Sequence, residues 1–530
     1  MTTATTINYR ELLTRENEAG IEPGTNSSVD RLLREVQGNV LKSHGRDHTT
    51  HLFVQFNDDV AAGRQFLARL ADWVTCAHKQ WEDSRARAEG MAAAERKKTL
   101  WEVTEAKAAV RGRSPVFVNL LLSKCGYDKL KLRKPDDEYF MAGAKKKAGD
   151  LNDPPCKSWE DGFQKEVHAV VMVAEDDPRK VDEQVRKVLD LLAKTGAGTR
   201  LFEEKGQALR IDDEGQRSLD EPPREHFGFL DGITDPLFFK KDIEKARPAS
   251  GFAHNDPSAP LGLVLVEEPK DPANPEAQSC GSYVVYRKLR QHVDRFTKAR
   301  NELAKQLKKQ DGTHEGKYYT ELANAYIMGR FRDGTPVVTQ STPGGGRVDD
   351  FDYTADTKGV RCPFQAHVRK TNPRGDTRDR RAERTHRIAR RGMTYESGTD
   401  VGLLFLCAQS SIVNQFAFMQ KSWANWLGFP KANTGLDPVI GQGKGEPKKP
   451  NDKDKVNHAG KVDKRVQQWP NKYGGEGKFK LQVGGNWRED PKECNWVELR
   501  GAEYFFAPSL PFLRSCPQQP MIVSPGRGHA

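Results

Sequence analysis

Glu166-Val167-His168-Ala169-Val170-Val171-Met172-Val173-Ala174 is a β-branched, apolar run, the composition of a strand. Val181 to Leu192 follows with helical period, and Arg200 to Arg210 reads as a second strand, so a β-α-β pattern emerges. Working outward, Arg31 to Val36 reads as a short helix, Thr50-His51-Leu52-Phe53-Val54-Gln55-Phe56 alternates like a strand, and Phe66 to Ala77 has helical spacing. Two stretches interrupt this core. Residues 79 to 113 look like a charged helical insertion, and residues 131 to 165 are rich in Lys, Asp and Pro with little periodicity. Both are expected to be surface excursions.

The second half repeats the rhythm without repeating the sequence. Ser282 to Tyr286 is a strand, Leu289 to Gln310 a long basic helix and Tyr318 to Met328 another helix. Leu403 to Cys407 is an apolar strand, Ser411 to Trp426 a helix, and the apolar pattern resumes at Trp496. Between Gly441 and Gly477 the chain is rich in Lys, Gly, Asn and Pro, with Trp469 an isolated aromatic, which suggests irregular surface. The expected architecture is α+β, two halves that are each a sheet covered by helices. The expected divisions are a polar leader 1–30, an N-terminal domain 31–240 with an insertion at about 79–165, a linker 241–275, and a C-terminal domain 276–530 with an insertion at about 441–477.

The bulk properties exclude several classes. A chain of 530 residues with 36% hydrophobic residues and 46 glycines is too long for one small domain and too apolar for wholesale disorder. Eight cysteines without close pairing fit neither a disulfide scaffold nor a zinc module. The N-terminus lacks a basic segment followed by an apolar run, and no stretch approaches the ~20 apolar residues of a membrane span. A cytoplasmic protein with no membrane partner is expected. The net charge of +11 is mostly local: Arg361 to Arg391 holds eleven Arg and Lys against Asp376, Asp379 and Glu383. Such a cluster can bind a polyanion or hold the carboxylates of a buried cofactor.

Three segments could carry chemistry. In Gly228-Phe229-Leu230-Asp231-Gly232 two glycines bracket an acid inside an apolar run, which suggests a tight turn aiming a carboxylate into an enclosed space; an Asp-Gly hairpin turn is the alternative. In Ala366-His367-Val368-Arg369-Lys370-Thr371-Asn372-Pro373-Arg374 one histidine is followed directly by cations. Ligation of haem iron needs a neutral imidazole, and the two propionates need donors close by; a core histidine beside a solvated basic loop is the alternative. In Arg390-Arg391-Gly392 a guanidinium next to apolar residues could stabilise a developing anion, or simply be exposed.

Together the three segments resemble the dye-decolorizing peroxidases, haem enzymes, in the longer, insertion-bearing form. Gly228 to Gly232 matches the family's GxxDG motif, and His367 and Arg390-Arg391-Gly392 fall in family-like contexts. Further similar stretches are Leu32 to Thr49, Met328 to Pro336, Gly402 to Gln420 and Glu503 to Ser509. The resemblance implies two ferredoxin-like domains, each an antiparallel sheet covered by helices, with one haem b per chain held in the C-terminal half. It implies that His367 is the iron ligand, Asp231 the distal acid-base residue and Arg390 the distal cation. Gly228, Gly232, Arg369, Asn372 and Arg374 are then expected near the haem. The implied partners are hydrogen peroxide and aromatic or dye electron donors, with Trp423, Trp426, Trp469 and Tyr504 as possible surface relays. Peroxide must lose a proton from one oxygen and regain it on the other for the O–O bond to break heterolytically, and one proton acceptor with one fixed cation suffices. For the acceptor that orients His367, Asn414 and Gln415 are nearest in the expected helix, with a water or a distant Asp otherwise. Two other functions compete: chlorite or haem-iron chemistry on a related fold, and nucleic-acid binding through residues 361–391. The latter is disfavoured because Phe364 is the one aromatic residue among those cations. The sequence carries no signal of oligomeric state.

Overall fold

The computed structural model describes residues 8–212, 215–269, 278–377, 379–443, 467–487 and 496–522. The strand expected near residue 170 is one of ten described strands that build a single antiparallel sheet, the two-residue strand Val266–Glu267 among them. The first half supplies β1 (His48–Phe56), β2 (Phe117–Ser123), β3 (Ala169–Glu175) and β4 (Gly198–Gln207). The second half supplies β5 (Cys280–Gln291), β6 (Ala389–Arg390), β7 (Met393–Ser397), β8 (Asp400–Gln409) and β9 (Val497–Ala507). The main path runs β7-β8-β5-β9-β2-β3-β1-β4, with β6 paired to β8. The halves join where Phe505 and Phe506 of β9 face Ser123 and Leu122 of β2. At the two far edges Thr394 of β7 donates its hydroxyl to the Gln207 carbonyl and accepts from the Leu209 amide at 3.1 Å, so the sheet closes on itself. Phe53, Phe163, Phe202, Tyr286 and Phe505 pack ring against ring inside, with Phe53 and Phe202 stacked at 4.2 Å.

Helices cover the sheet where the sequence punctuates them. Among them are α1 (Val60–Leu70), α2 (Ala77–Glu95), α3 (Leu100–Gly112), α4 (Pro178–Thr195), α5 (Val293–Asp311), α6 (Gly316–Met328) and the single turn α7 (His367–Thr371). α4 begins with Asp177 accepting from the Arg179 amide, has Pro178 in its first turn and stops at Gly196 with φ +65°. The charged insertion is the hairpin of α2 and α3, with Trp101 71% exposed. No described helix is long and apolar enough to cross a membrane, and all seven described cysteines are free thiols.

Several expectations change. Residues 131–165 are not a surface excursion: Leu132, Tyr139, Phe140, Leu151, Trp159 and Phe163 are core residues. They lie on helical pieces of three to five residues and their connections, too short to show a period. Trp469 is fully buried in a hairpin of Gln467–Pro470 with Lys478–Leu481, its indole donating to the Leu481 carbonyl at 2.9 Å, so this end of the 441–477 insertion is structured; residues 444–466 lie outside the described residues. In the supposed leader, Tyr9–Thr14 is helical, with Tyr9 buried and its hydroxyl donating to Glu35. In the supposed linker Leu261, Val264 and Leu265 are buried and Val266–Glu267 pairs with β5. The helix expected from Phe66 starts at Val60, where Asp59 caps it, and ends at Leu70. The helix expected from Leu289 starts at Val293, because Leu289 to Gln291 still belong to β5. Ser411 to Trp426 winds as two π-helical turns, Val413–Ala417 and Met419–Ala424.

Candidate active site

Side chains alternate along β5, so Arg287, Leu289 and Gln291 look onto one face while Tyr286 and Lys288 look the other way. On the first face, joined by Leu403 and Phe405 of β8 and Val497 of β9, lies a cavity with about 1830 Å³ of atom-free space, part of it continuous with solvent. The loop 225–234 and α7 complete its wall.

His367 opens α7 and lines the cavity. Its Nδ1 is 2.9 Å from Oδ2 of Asp437, whose other oxygen accepts from the amides of Val439 at 2.8 Å and Ile440 at 3.0 Å. A carboxylate can only accept, so Nδ1 carries a proton, and in the neutral ring Nε2 is then the nitrogen with the lone pair. Nε2 makes no hydrogen bond among the described residues. Asp437 is therefore the orienting acceptor that the sequence left open. Asn414 and Gln415 are engaged elsewhere: the Asn414 carbonyl accepts from His386, and the Gln415 amide donates to Leu263 and Arg387.

The distal motif is a turn built on two left-handed glycines, Gly228 (φ +95°) and Gly232 (φ +69°), which shape the loop without lining the cavity. Oδ1 of Asp231 accepts from the Gly232 amide at 2.7 Å, and the Asp231 carbonyl accepts from Arg347 at 2.9 Å. Arg390 lines the same cavity, 38% exposed at its side chain, with Nε 3.2 Å from Oδ1 of Asp235 and Nη2 donating to the Ile233 carbonyl. Burial opposes its charge, yet Asp235 and then Asp231 raise its pKa overall. Arg391 turns inward, donating to the carbonyls of Asn39 at 2.8 Å and Val40 at 2.9 Å, and is absent from the cavity wall.

Of the other residues expected near the haem, Asn372 lines the cavity, but Arg369 and Arg374 do not. Arg369 is fully buried between Asp356 and Asp376, and Arg374 is buried on Asp349; a strand or short turn exposes only some of its side chains to one face. Their expected place is taken by Arg330 and Arg387, which the sequence reading assigned no role although Arg330 lies in the similar stretch Met328 to Pro336. Burial and then neighbouring arginines push Arg387 down to about 9 and Arg330 to about 10. Arg330 is paired with Asp349 at 2.7 Å, whereas Arg387 donates to carbonyls and has no carboxylate pair among the described residues. Two further groups were missed. Thr234, β-branched at φ +74°, is strained and held by Asp349 and Arg330. Glu225 accepts from the amides of Phe227 at 2.9 Å and Phe229 at 3.0 Å, and burial pushes its carboxyl up to about 7.

A neutral imidazole with a free Nε2 and a wall carrying surplus arginine charge form the donor set that a metal porphyrin with two carboxylates requires. Residues 35–205 match the family model described as the DyP dimeric alpha+beta barrel domain, and residues 223–431 match Dyp-type peroxidase, C-terminal. The chain is 34% identical over 508 residues to multifunctional dye peroxidase DyP2 of Amycolatopsis sp., covering 91% of this chain and 96% of that protein. The chain belongs to the dye-decolorizing peroxidase family. Among solved structures, that of the Anabaena DyP-type peroxidase AnaPX matches with TM-score 0.76 at 35% identity, over 96% of this chain and 99% of that one. DyP2 matches with TM-score 0.77 at 32% identity, over 94% and 100%. This dye-decolorizing peroxidase is therefore a haem enzyme of α+β fold. Of the basic run 361–391, Arg387 and Arg390 line the cavity, whereas Arg369, Lys370, Arg374 and Arg391 are buried away from its wall.

Proposed function

We propose that the protein reduces hydrogen peroxide and oxidises dyes, phenols and similar aromatic donors, with His367 as the iron ligand of one haem b per chain, Asp231 as proton shuttle and Arg390 as distal cation. The observation that carries the reading is the convergence of these three side chains on one cavity. Bound haem would supply the redox-active iron at which peroxide is reduced. Asp231 has Oδ1 occupied by the Gly232 amide, so Oδ2 is the atom that takes the proton from one peroxide oxygen and returns it to the other, which leaves as water. Arg390 has Nε and Nη2 held by Asp235 and Ile233, so Nη1 is the donor that meets the developing negative charge. Asp437, by accepting from His367, makes Nε2 the more basic ligand atom. Arg330, Arg387 and Asn372 would hold the propionates. Donors too large for the cavity would deliver electrons at the surface: Trp426 is 58% exposed, whereas Trp423, Trp469 and Tyr504 are buried, which supports Trp426 as the outer relay.

The same reading divides the chain into units 31–240 and 276–530, whereas the two family models change over earlier, between residues 205 and 223. Absorption spectra of the purified protein and of His367→Ala test the assignment. The expected outcome is a Soret band with peroxide-dependent oxidation of a phenol in the first, and loss of stable haem in a folded second. A histidine-ligated spectrum at full occupancy in His367→Ala overturns the ligand, and turnover of chlorite without peroxide turnover favours the competing haem chemistry.

A further inference from the structure

Lys370 lies one turn beyond His367 on α7 and is fully buried. Its ammonium donates to the carbonyls of Trp426 at 2.8 Å and Gly435 at 2.6 Å, and it has no carboxylate pair among the described residues. Burial of a charge is unfavourable unless it is well hydrogen-bonded, and here burial pushes the lysine down to about 7 despite the charge of Asp437. The two acceptors mark the ends of one loop. Gly435 donates back to the Leu427 carbonyl at 2.9 Å, and two residues later Asp437 donates its amide to the Ala424 carbonyl at 3.0 Å. One side chain thus ties the helix that bears His367 to both ends of the loop that presents Asp437.

We propose that Lys370 is a positioning residue of the proximal site, fixing the loop 426–437 against α7 so that Asp437 accepts from His367 Nδ1 and keeps the iron ligand electron-rich. The assignment rests on His367 as the ligand. A methionine would fill the same volume but leave the Gly435 carbonyl unpartnered and the Trp426 carbonyl with only the Phe429 amide, at 3.3 Å, loosening the hold of α7 on the loop that presents Asp437.

The test is the ferrous iron–histidine stretching frequency of the holoenzyme by resonance Raman, with Asp437→Asn as the reference for a weakened hydrogen bond. Lys370→Met is expected to shift the band down toward that of Asp437→Asn, with Lys370→Gln between it and wild type. The double variant Lys370→Met/Asp437→Asn should shift no further than Asp437→Asn alone, because one residue acts through the other. A wild-type frequency in Lys370→Met beside a lowered one in Asp437→Asn overturns the role of Lys370 and leaves the ligand intact. An unmoved band in Asp437→Asn, or no such band at all, removes His367 as the ligand and this assignment with it. Should neither lysine variant fold, hydrogen exchange of the wild-type holoenzyme decides: amides 426–437 as protected as those of α7 support the clamp, and exchange as fast as in an unstructured peptide overturns it.

Discussion

Replacing Arg390 by leucine is expected to slow peroxide activation by about 10²-fold while haem is retained, the scale of losing one preorganised donor. Replacing Arg391 should instead cost about 3 kcal/mol of stability, because it leaves two buried carbonyls without their donor and takes from Asp235 one of its two guanidinium partners, Arg390 remaining, while it touches no cavity atom. In the same stopped-flow series Asp231→Asn should be slower than wild type by roughly 10² to 10⁴, since asparagine keeps the turn and loses the base; a wild-type rate would leave only the hairpin role. Glu225 gives a pH dependence. Its folded pKa of about 7 lies above the ordinary 4.5, so its stabilisation is complete below about 4.5 and lost as pH rises through about 7. Urea unfolding of the apoprotein should show that decline, and Glu225→Gln should lack it. That Asp231, His367 and Arg390 meet at one cavity was legible because their three segments jointly resemble one family, although each segment alone also allowed a purely structural reading. Asp437 was not, since it meets His367 across 70 residues and nothing beside it in the sequence marks a carboxylate that will be buried.

Among the elements, the most informative departure is the stretch 131–165. Asp137 caps two of them at once: Oδ1 accepts from Tyr139 and Phe140 at the start of helix Glu138–Ala142, and Oδ2 accepts from Ile412 at 2.9 Å and from the Ser411 hydroxyl at 3.0 Å before the first π-helical turn. Asp137→Ala should therefore cost about 2 kcal/mol, two caps at roughly 1 kcal/mol each, read from denaturant midpoints. A loss no larger than that of a surface substitution would mean that neither cap matters. Longer elements were readable from period alone, as with α4 and β3. The short ones were not, because each buries one or two side chains and gains its order from neighbours such as Asp153, which pairs with the buried Arg287 of β5.

For the molecule as a whole, the two halves share one sheet and one main core, in which Leu52, Val171, Val285 and Tyr504 belong to the same cluster. Thermal unfolding of the apoprotein is accordingly expected to give one cooperative transition by calorimetry, and two resolved transitions would show that the halves are energetically separate despite the shared strands. The α+β class and the strand-helix rhythm were legible, but the closure of the sheet was not. Pairings such as β9 with β2 join residues nearly 400 positions apart and leave no pattern in either strand.

β9 is the last strand in chain order and the one that stands between β5 and β2. While the chain is being synthesised, seven of the eight strands on the main path emerge before the one that unites them, so both future neighbours of β9 wait with open edges. Val497 of that strand also belongs to the cavity wall. Enclosure of the cofactor is thus tied to the closing seconds of translation, and a ribosome that stalls after β8 releases a polypeptide with two adhesive flanks and no finished chamber.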